Sequence, residues 1–148
     1  MAPRDRATRL SDTRAKLTAS AADAWVATAG ADGPYLVPLS LAWIDDRVVI
    51  ALPITTRTAR NLLAGGTARL GLGPTRDVVL LDVVLERWVP VAEAGELAQR
   101  YAAQADWDPR DAGPGYCYLV LRPDRVQAWR DEAEHADRTL MLDGAWLS

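Results

Sequence analysis

The chain has one cysteine, one histidine and no phenylalanine in 148 residues, and Lys16 is its only lysine. Each scarcity excludes something. A lone Cys117 cannot close an internal disulfide or build a multi-cysteine metal site. It fits a reducing compartment, and its place between Tyr116 and Tyr118 reads as a small buried hydrophobe in a strand. A lone His135 leaves a zinc ion without its usual ligand set, so no metal is expected. No Gly-x-Ser-x-Gly elbow accompanies it for a Ser-His-Asp site. Its surroundings, Asp131 to Asp137, read as a solvated acidic loop. No window approaches ~18 uninterrupted apolar residues, so no membrane helix is expected. Met1 to Arg14 lacks the apolar run of a signal peptide. A basic excess is missing too: 17 basic residues face 20 acidic ones, a formal net charge of −3. That balance argues against general binding to nucleic acid or to an anionic membrane. A soluble, cytoplasmic protein is the expectation.

What is present is an ordinary globular composition, 49% hydrophobic and 25% charged. The length suits one domain with its own core. Residues 1–10 are polar and basic and read as a flexible arm, leaving 11–148 as a single domain. Six tryptophans and four tyrosines must do the packing that phenylalanine would share. Most of them read as core, with Trp129 and Trp146 as candidates for a pocket wall.

A helix is predicted over Ser11–Ala22, capped by Ser11 or Asp12. Strands follow over Ala24–Thr28, Tyr35–Ile44 and Arg47–Leu52. Asp-Gly-Pro and Asp-Asp turns separate them, and Pro38 suggests an edge or a bulge. Thr58–Ala64 is a short helix stopped by Gly65-Gly66. Strands are then expected over Thr67–Leu72 and Asp77–Val89, and a helix over Val91–Ala105. After a Pro/Gly-rich loop come strands over Tyr116–Leu121 and Arg125–Trp129, then a hairpin around Asp143-Gly144. Short strands joined by tight turns favour an antiparallel barrel over a doubly wound sheet. Gly71-Leu72-Gly73 lacks the third glycine and the helix of a dinucleotide fingerprint. Asp82 interrupts an apolar strand. Alternation turns it outward; buried, it would need an arginine such as Arg69 or Arg76.

The stretch with most chemical content is Thr55-Thr56-Arg57-Thr58-Ala59-Arg60-Asn61-Leu62. It opens a helix directly after a strand. A helix N-terminus carries about half a positive charge and unpaired N–H groups. Two arginines there repel that end unless an anion reverses the sign. Arg57 and Arg60, with the hydroxyls of Thr55, Thr56 and Thr58, would then cradle a phosphate. The plainer alternative is a solvated helix start with its arginines in water.

The run Tyr35-Leu36-Val37-Pro38-Leu39-Ser40, the tryptophan and acidic turn after it, Arg47-Val48-Val49-Ile50-Ala51-Leu52 and then Thr56 to Leu62 resembles the pyridoxamine 5'-phosphate oxidase-like family. Within it, the resemblance is to the flavin/deazaflavin oxidoreductases of actinobacterial type. It covers about residues 15–130. It implies a mainly β, antiparallel split β-barrel that forms a homodimer and binds FMN, or alternatively coenzyme F-420. In that family this segment binds the cofactor phosphate, commonly as Ser-Arg-Lys, a residue pair, then Asn-Leu. By resemblance Thr56 stands at the serine, Arg57 at the arginine and Thr58 at the lysine, with Asn61-Leu62 matching Asn-Leu. The lysine is lost, and Arg60, one turn after Arg57, is its substitute. The resemblance also lays the ring against Pro38, Leu39, Ser40, Ala51, Leu52, Pro53 and Ile54, all of which alternatively read as ordinary barrel residues. The implied cofactor-binding set is therefore Thr55, Thr56, Arg57, Thr58, Arg60, Asn61, Pro38 and Ser40. No side chain stands out as catalytic, which suits flavin chemistry, where the cofactor carries the hydride. The expected function is an oxidoreductase moving hydride between a flavin-type cofactor and a small organic substrate. The alternatives are a non-catalytic flavin or F-420 carrier or sensor, or a dimeric barrel without cofactor.

Overall fold

Asp5 starts the first helix. In a computed structural model that describes residues 2–148, its carboxylate accepts from the Thr8 N–H at 2.7 Å and α1 runs Arg6–Thr18. The helix thus begins well before Ser11, inside the segment expected as an arm. A charged residue masks the periodicity there. Arg9 sits on the buried stripe, 1% exposed, with Nη2 2.7 Å from Asp137 Oδ2. Ahead of the helix, Arg4 reaches Glu134 at 2.7 Å and Asp12 at 3.0 Å. Residues 4–10 are therefore tied to the far end of the chain.

β1 (Asp23–Gly30) and β2 (Gly33–Ser40) form a hairpin whose register pairs Gly30 with Gly33. The expected strand Tyr35–Ile44 is divided. At the break, the Leu41 N–H donates to Ala22 O at 3.0 Å. β3 (Ala42–Ile44) and β4 (Arg47–Pro53) then form a second hairpin, with Asp45 and Asp46 at φ 52° and 58°. Two successive left-handed residues match the twist of a two-residue hairpin turn. α2 (Arg57–Gly65) ends where expected, on Gly66 at φ 76°, whose N–H returns to Leu62 O. β5 (Thr67–Leu72) follows as predicted, then β6 (Val78–Pro90).

The expected helix Val91–Ala105 comes in two pieces. A 3-10 turn over Val91–Glu93 is broken at Gly95, φ 57°, before α3 (Glu96–Ala105). The two expected strands at 116–121 and 125–129 are one, β7 (Tyr116–Trp129). Asp82 pairs with Arg125 and Val83 with Pro123, so Asp124 is the extra residue of a bulge. The bulge lets a proline, which has no N–H to give, sit inside a long strand. The acidic loop contains a single helical turn, α4 (Glu132–His135). β8 (Thr139–Leu142) and β9 (Ala145–Trp146) form the last hairpin.

The strands make one antiparallel sheet in the order β2-β1-β5-β6-β7-β4-β3, with β8 on β7 and β9 on β8. Pro38 lies on the edge strand β2, as expected. The sheet curls so that β2 faces β4 without pairing to it. This is a split barrel. Its interior holds Val26, Val48, Ile50, Leu70, Leu81 and Leu119 with Leu17 of α1 and Leu62 of α2. A second core lies outside it, where Ala98, Tyr101 and Ala105 of α3 cover Val49 and Ala51 of β4 and Val120 of β7. β4 is thus buried on both faces, which explains its unbroken apolar run. Asp82 points outward as alternation requires, bound to Arg69 at 3.0 Å and Arg125 at 2.7 Å. Among the described residues no helix is long and apolar enough to cross a membrane.

Candidate functional site

A cavity of about 400 Å³ opens in the split between β2 and β4. Tyr35 and Val37–Ser40 form one wall, Ala51–Pro53 the other. Thr56 and Thr58, at the start of α2, close one side, and Trp107 and Tyr116 complete it. The volume lies within the ~300–1,000 Å³ of small-molecule sites.

Four of the eight expected binding residues line this cavity: Pro38, Ser40, Thr56 and Thr58. Arg57 stands beside it, its guanidinium 4.6 Å from the centre of the Tyr35 ring. Thr55 and Arg60 are exposed at the same helix end. Asn61 faces elsewhere. Its amide donates to Thr28 Oγ1 of β1 at 3.1 Å and lies so close to Gly30 that a Cβ there would come within 2.3 Å of its Oδ1. The contacts of Asn61 hold α2 against β1. Of the flanking residues, Leu39, Ala51, Leu52 and Pro53 line the cavity, while Ile54 belongs to a neighbouring one.

The helix start is polar and basic. Thr56 caps α2: its Oγ1 accepts from the Ala59 N–H at 3.3 Å and donates to Pro53 O at 2.9 Å. The N–H groups of Arg57 and Thr58, in the first turn, have no acceptor within the helix. That turn contains no acidic side chain. Among the described residues neither Arg57 nor Arg60 has a carboxylate within 4.0 Å. Two guanidiniums at the positive end of a helix, without a counter-charge, are electrostatically unfavourable, and a bound phosphate reverses the sign. Thr58, which by resemblance stands at the lysine position, is 2% exposed and lines the wall.

The pocket-wall tryptophan is Trp107, which sequence reasoning left unassigned. Trp129 packs edge-on against His135 at 5.5 Å, and Trp146 lies under Arg14 at 4.9 Å; neither lines the cavity. Trp107 sits edge-to-face with Tyr116 at 6.0 Å and with Tyr101 at 6.1 Å. Burial pushes the Tyr101 hydroxyl up to about 12, so it stays protonated beside the carbonyl of Ser40. Cys117 is buried, as expected, and burial raises its thiol. The cavity wall contains no acid, histidine, lysine or arginine. Among the described residues no group of three His, Cys, Asp or Glu is placed to hold a metal.

No family model matches the sequence, and no curated protein matches it. The fold does match solved structures. An F-420 reductase superposes with a TM-score of 0.63 at 17% identity, over 76% of this chain and 94% of that one. An FMN-binding protein related to pyridoxamine 5'-phosphate oxidase, from Nostoc punctiforme, gives 0.56 at 17% identity, over 82% and 80%. A heme-binding protein from Mycobacterium smegmatis gives 0.63 at 21% identity, over 89% of this chain and 57% of that one. What these likenesses share with the chain is its fold, the split barrel.

Proposed function

We propose that the chain is an oxidoreductase that holds a flavin-type cofactor between β2 and β4 and moves hydride between it and a small organic substrate. FMN is the first choice of cofactor and coenzyme F-420 the second. One observation carries this reading: the cavity runs up to a helix start that has two arginines and no acid in its first turn. A flavin carries its ring and its phosphate on one molecule, and the cavity and helix end offer both environments together. The ring would lie between Pro38–Ser40 and Ala51–Pro53. The phosphate would take the free N–H groups of α2, the Thr58 hydroxyl, Arg57 and Arg60. When bound, the cofactor supplies the hydride chemistry, and the protein supplies position and a dry wall. Tyr35, Trp107 and Tyr116 exclude water from the ring. The solved split barrels that bind FMN or act as F-420 reductase support the reading.

The test is titration of the protein with FMN and with F-420, following tryptophan quenching. Trp107 in the wall should report a ring. Saturable binding of either, weakened by inorganic phosphate, supports the site; binding of neither refutes it. A second reading, a carrier or sensor without turnover, is favoured by a wall that lacks any acid, histidine or lysine for proton transfer. Oxidation of a chemical reductant by the loaded protein, compared with free cofactor, separates the two.

The dimer belongs to the same proposal. Trp25 is 55% exposed and Leu36 58%, and Trp25 pairs in register with Pro38. An apolar strip at a sheet edge suits a second copy of the chain. Pro38 is both on the strip and in the cavity wall, so a partner there would border the cofactor. Trp25→Glu should shift sedimentation from dimer to monomer; a wild-type monomer would refute the assembly.

A further inference from the structure

A larger cavity, about 840 Å³, shares Tyr116 with the cofactor site. One side is the end of β6 and the 3-10 turn after it, with Trp88 and Ala92. Another is α3, with Ala98 and Gln99, and the loop Gly113–Gly115 closes it. Ile54 also lines it, and the Ile54 N–H donates to Gly115 O at 2.9 Å, fixing the loop beside Tyr116. The loop 106–115 therefore borders both cavities, through Trp107 on one and Gly113–Gly115 on the other.

The wall chemistry defines the occupant. Its polar side chains are few, chiefly Gln99, Arg110 and the shared Tyr116. Arg110 is committed elsewhere: its Nη2 lies 2.7 Å from Asp108 Oδ2 and its Nε 2.9 Å from Asp108 Oδ1. With that charge offset, the cavity presents mainly apolar surface and one amide. Such a pocket favours apolar area over charge, because a bound ion would lose its hydration without an opposite charge in return.

We propose that this second cavity binds an uncharged, largely apolar organic molecule beside the cofactor, across Tyr116. Calling that molecule the substrate rests on the cofactor reading; its binding does not. N-phenyl-1-naphthylamine, a neutral aromatic dye that brightens on leaving water, is the probe. The wild type should bind it saturably. Ala92→Trp and Gln99→Trp place bulk at two exposed positions of the wall. Each should weaken the dye about tenfold or more, ~1.4 kcal/mol per decade, with an unchanged thermal midpoint. FMN should not displace it, and its sulfonated analogue should bind more weakly. Wild-type affinity in both variants, competitive displacement by FMN or tighter binding of the sulfonate overturns the proposal. Variant-sensitive dye binding in a protein that takes neither FMN nor F-420 upholds this site and removes the cofactor reading.

Discussion

Replacing Arg57 tests the phosphate end of the site, and the structure sets the size of the effect. The guanidinium rests on the Tyr35 ring at 4.6 Å, and among the described residues no carboxylate competes for it. A charge-assisted hydrogen bond to phosphate contributes about 1.5–3 kcal/mol. Arg57→Ala should therefore raise the FMN Kd roughly 30-fold, the equivalent of about 2 kcal/mol. Arg60 is more exposed, and its loss should cost about 0.5–1 kcal/mol, or two- to fivefold. The two act on one anion, so the double variant should fall near a hundredfold without strict additivity. Folding should scarcely change, because Arg57 gives up a cation–π pair with Tyr35 that is worth ~0.5–1 kcal/mol at a part-exposed site. The assay is tryptophan quenching by FMN and by riboflavin, which has the same ring and no phosphate. Riboflavin affinity should be the same in wild type and variant, and only the FMN affinity should fall with ionic strength. An FMN Kd within twofold of wild type in Arg57→Ala/Arg60→Ala would place the phosphate elsewhere.

Glu134 is buried and bonded to Arg4. Those hydrogen bonds hold its carboxyl down to about 2 against a burial effect of opposite sign. A lowered folded value means that its stabilisation is present above the unfolded value near 4.5 and is lost as pH falls towards 2. Glu134→Gln should cost about 3 kcal/mol at neutral pH, since it leaves Arg4 buried without its closest carboxylate, and should flatten the acid limb of a melting-temperature profile; an unchanged limb would contradict the pairing. The Tyr118 hydroxyl is buried and has no hydrogen-bond partner among the described residues. Tyr118→Phe should leave the thermal midpoint unchanged or raise it by the equivalent of ~1 kcal/mol, and a clear loss would reveal a partner. Cys117 should resist a disulfide reagent in the native protein and react at once in denaturant.

The parts of the fold that could be read from the chain are those decided locally. Thr67–Leu72 is bounded by Gly66 and Gly73, and α2 ends on a glycine for which the left-handed φ comes at little steric cost. The missed boundaries were decided at a distance. Asp5 caps α1, but Arg9 hides its buried stripe until Asp137 is beside it. Pro123 reads as a strand break until β6 supplies the pairing that a bulge at Asp124 accommodates.

The site divides along the same line. The place of Thr56 and the arginines at a helix start was legible, because that start follows a strand and its stop is a glycine pair. The strand walls, Pro38–Ser40 and Ala51–Pro53, came only through the resemblance, and Tyr35, Val37, Trp107 and Tyr116 were not legible as lining at all, because the cavity exists only where β2 curls to face β4 and where the loop after α3 returns. Trp107 lies in a stretch of Asp, Pro and Gly with no periodicity, so nothing nearby marks it as facing inward. Tyr116 opens a strand whose alternation would assign it to one face, yet it borders two cavities. Thr58 is the instructive case. By resemblance a lysine is missing there; the structure places a buried threonine in the wall at that position and leaves Arg60 exposed nearby. An anion held under the cofactor proposal by the exposed Arg60 would be open to salt. Under that proposal the protein should hold FMN as an exchangeable ligand, with an off-rate that rises with ionic strength.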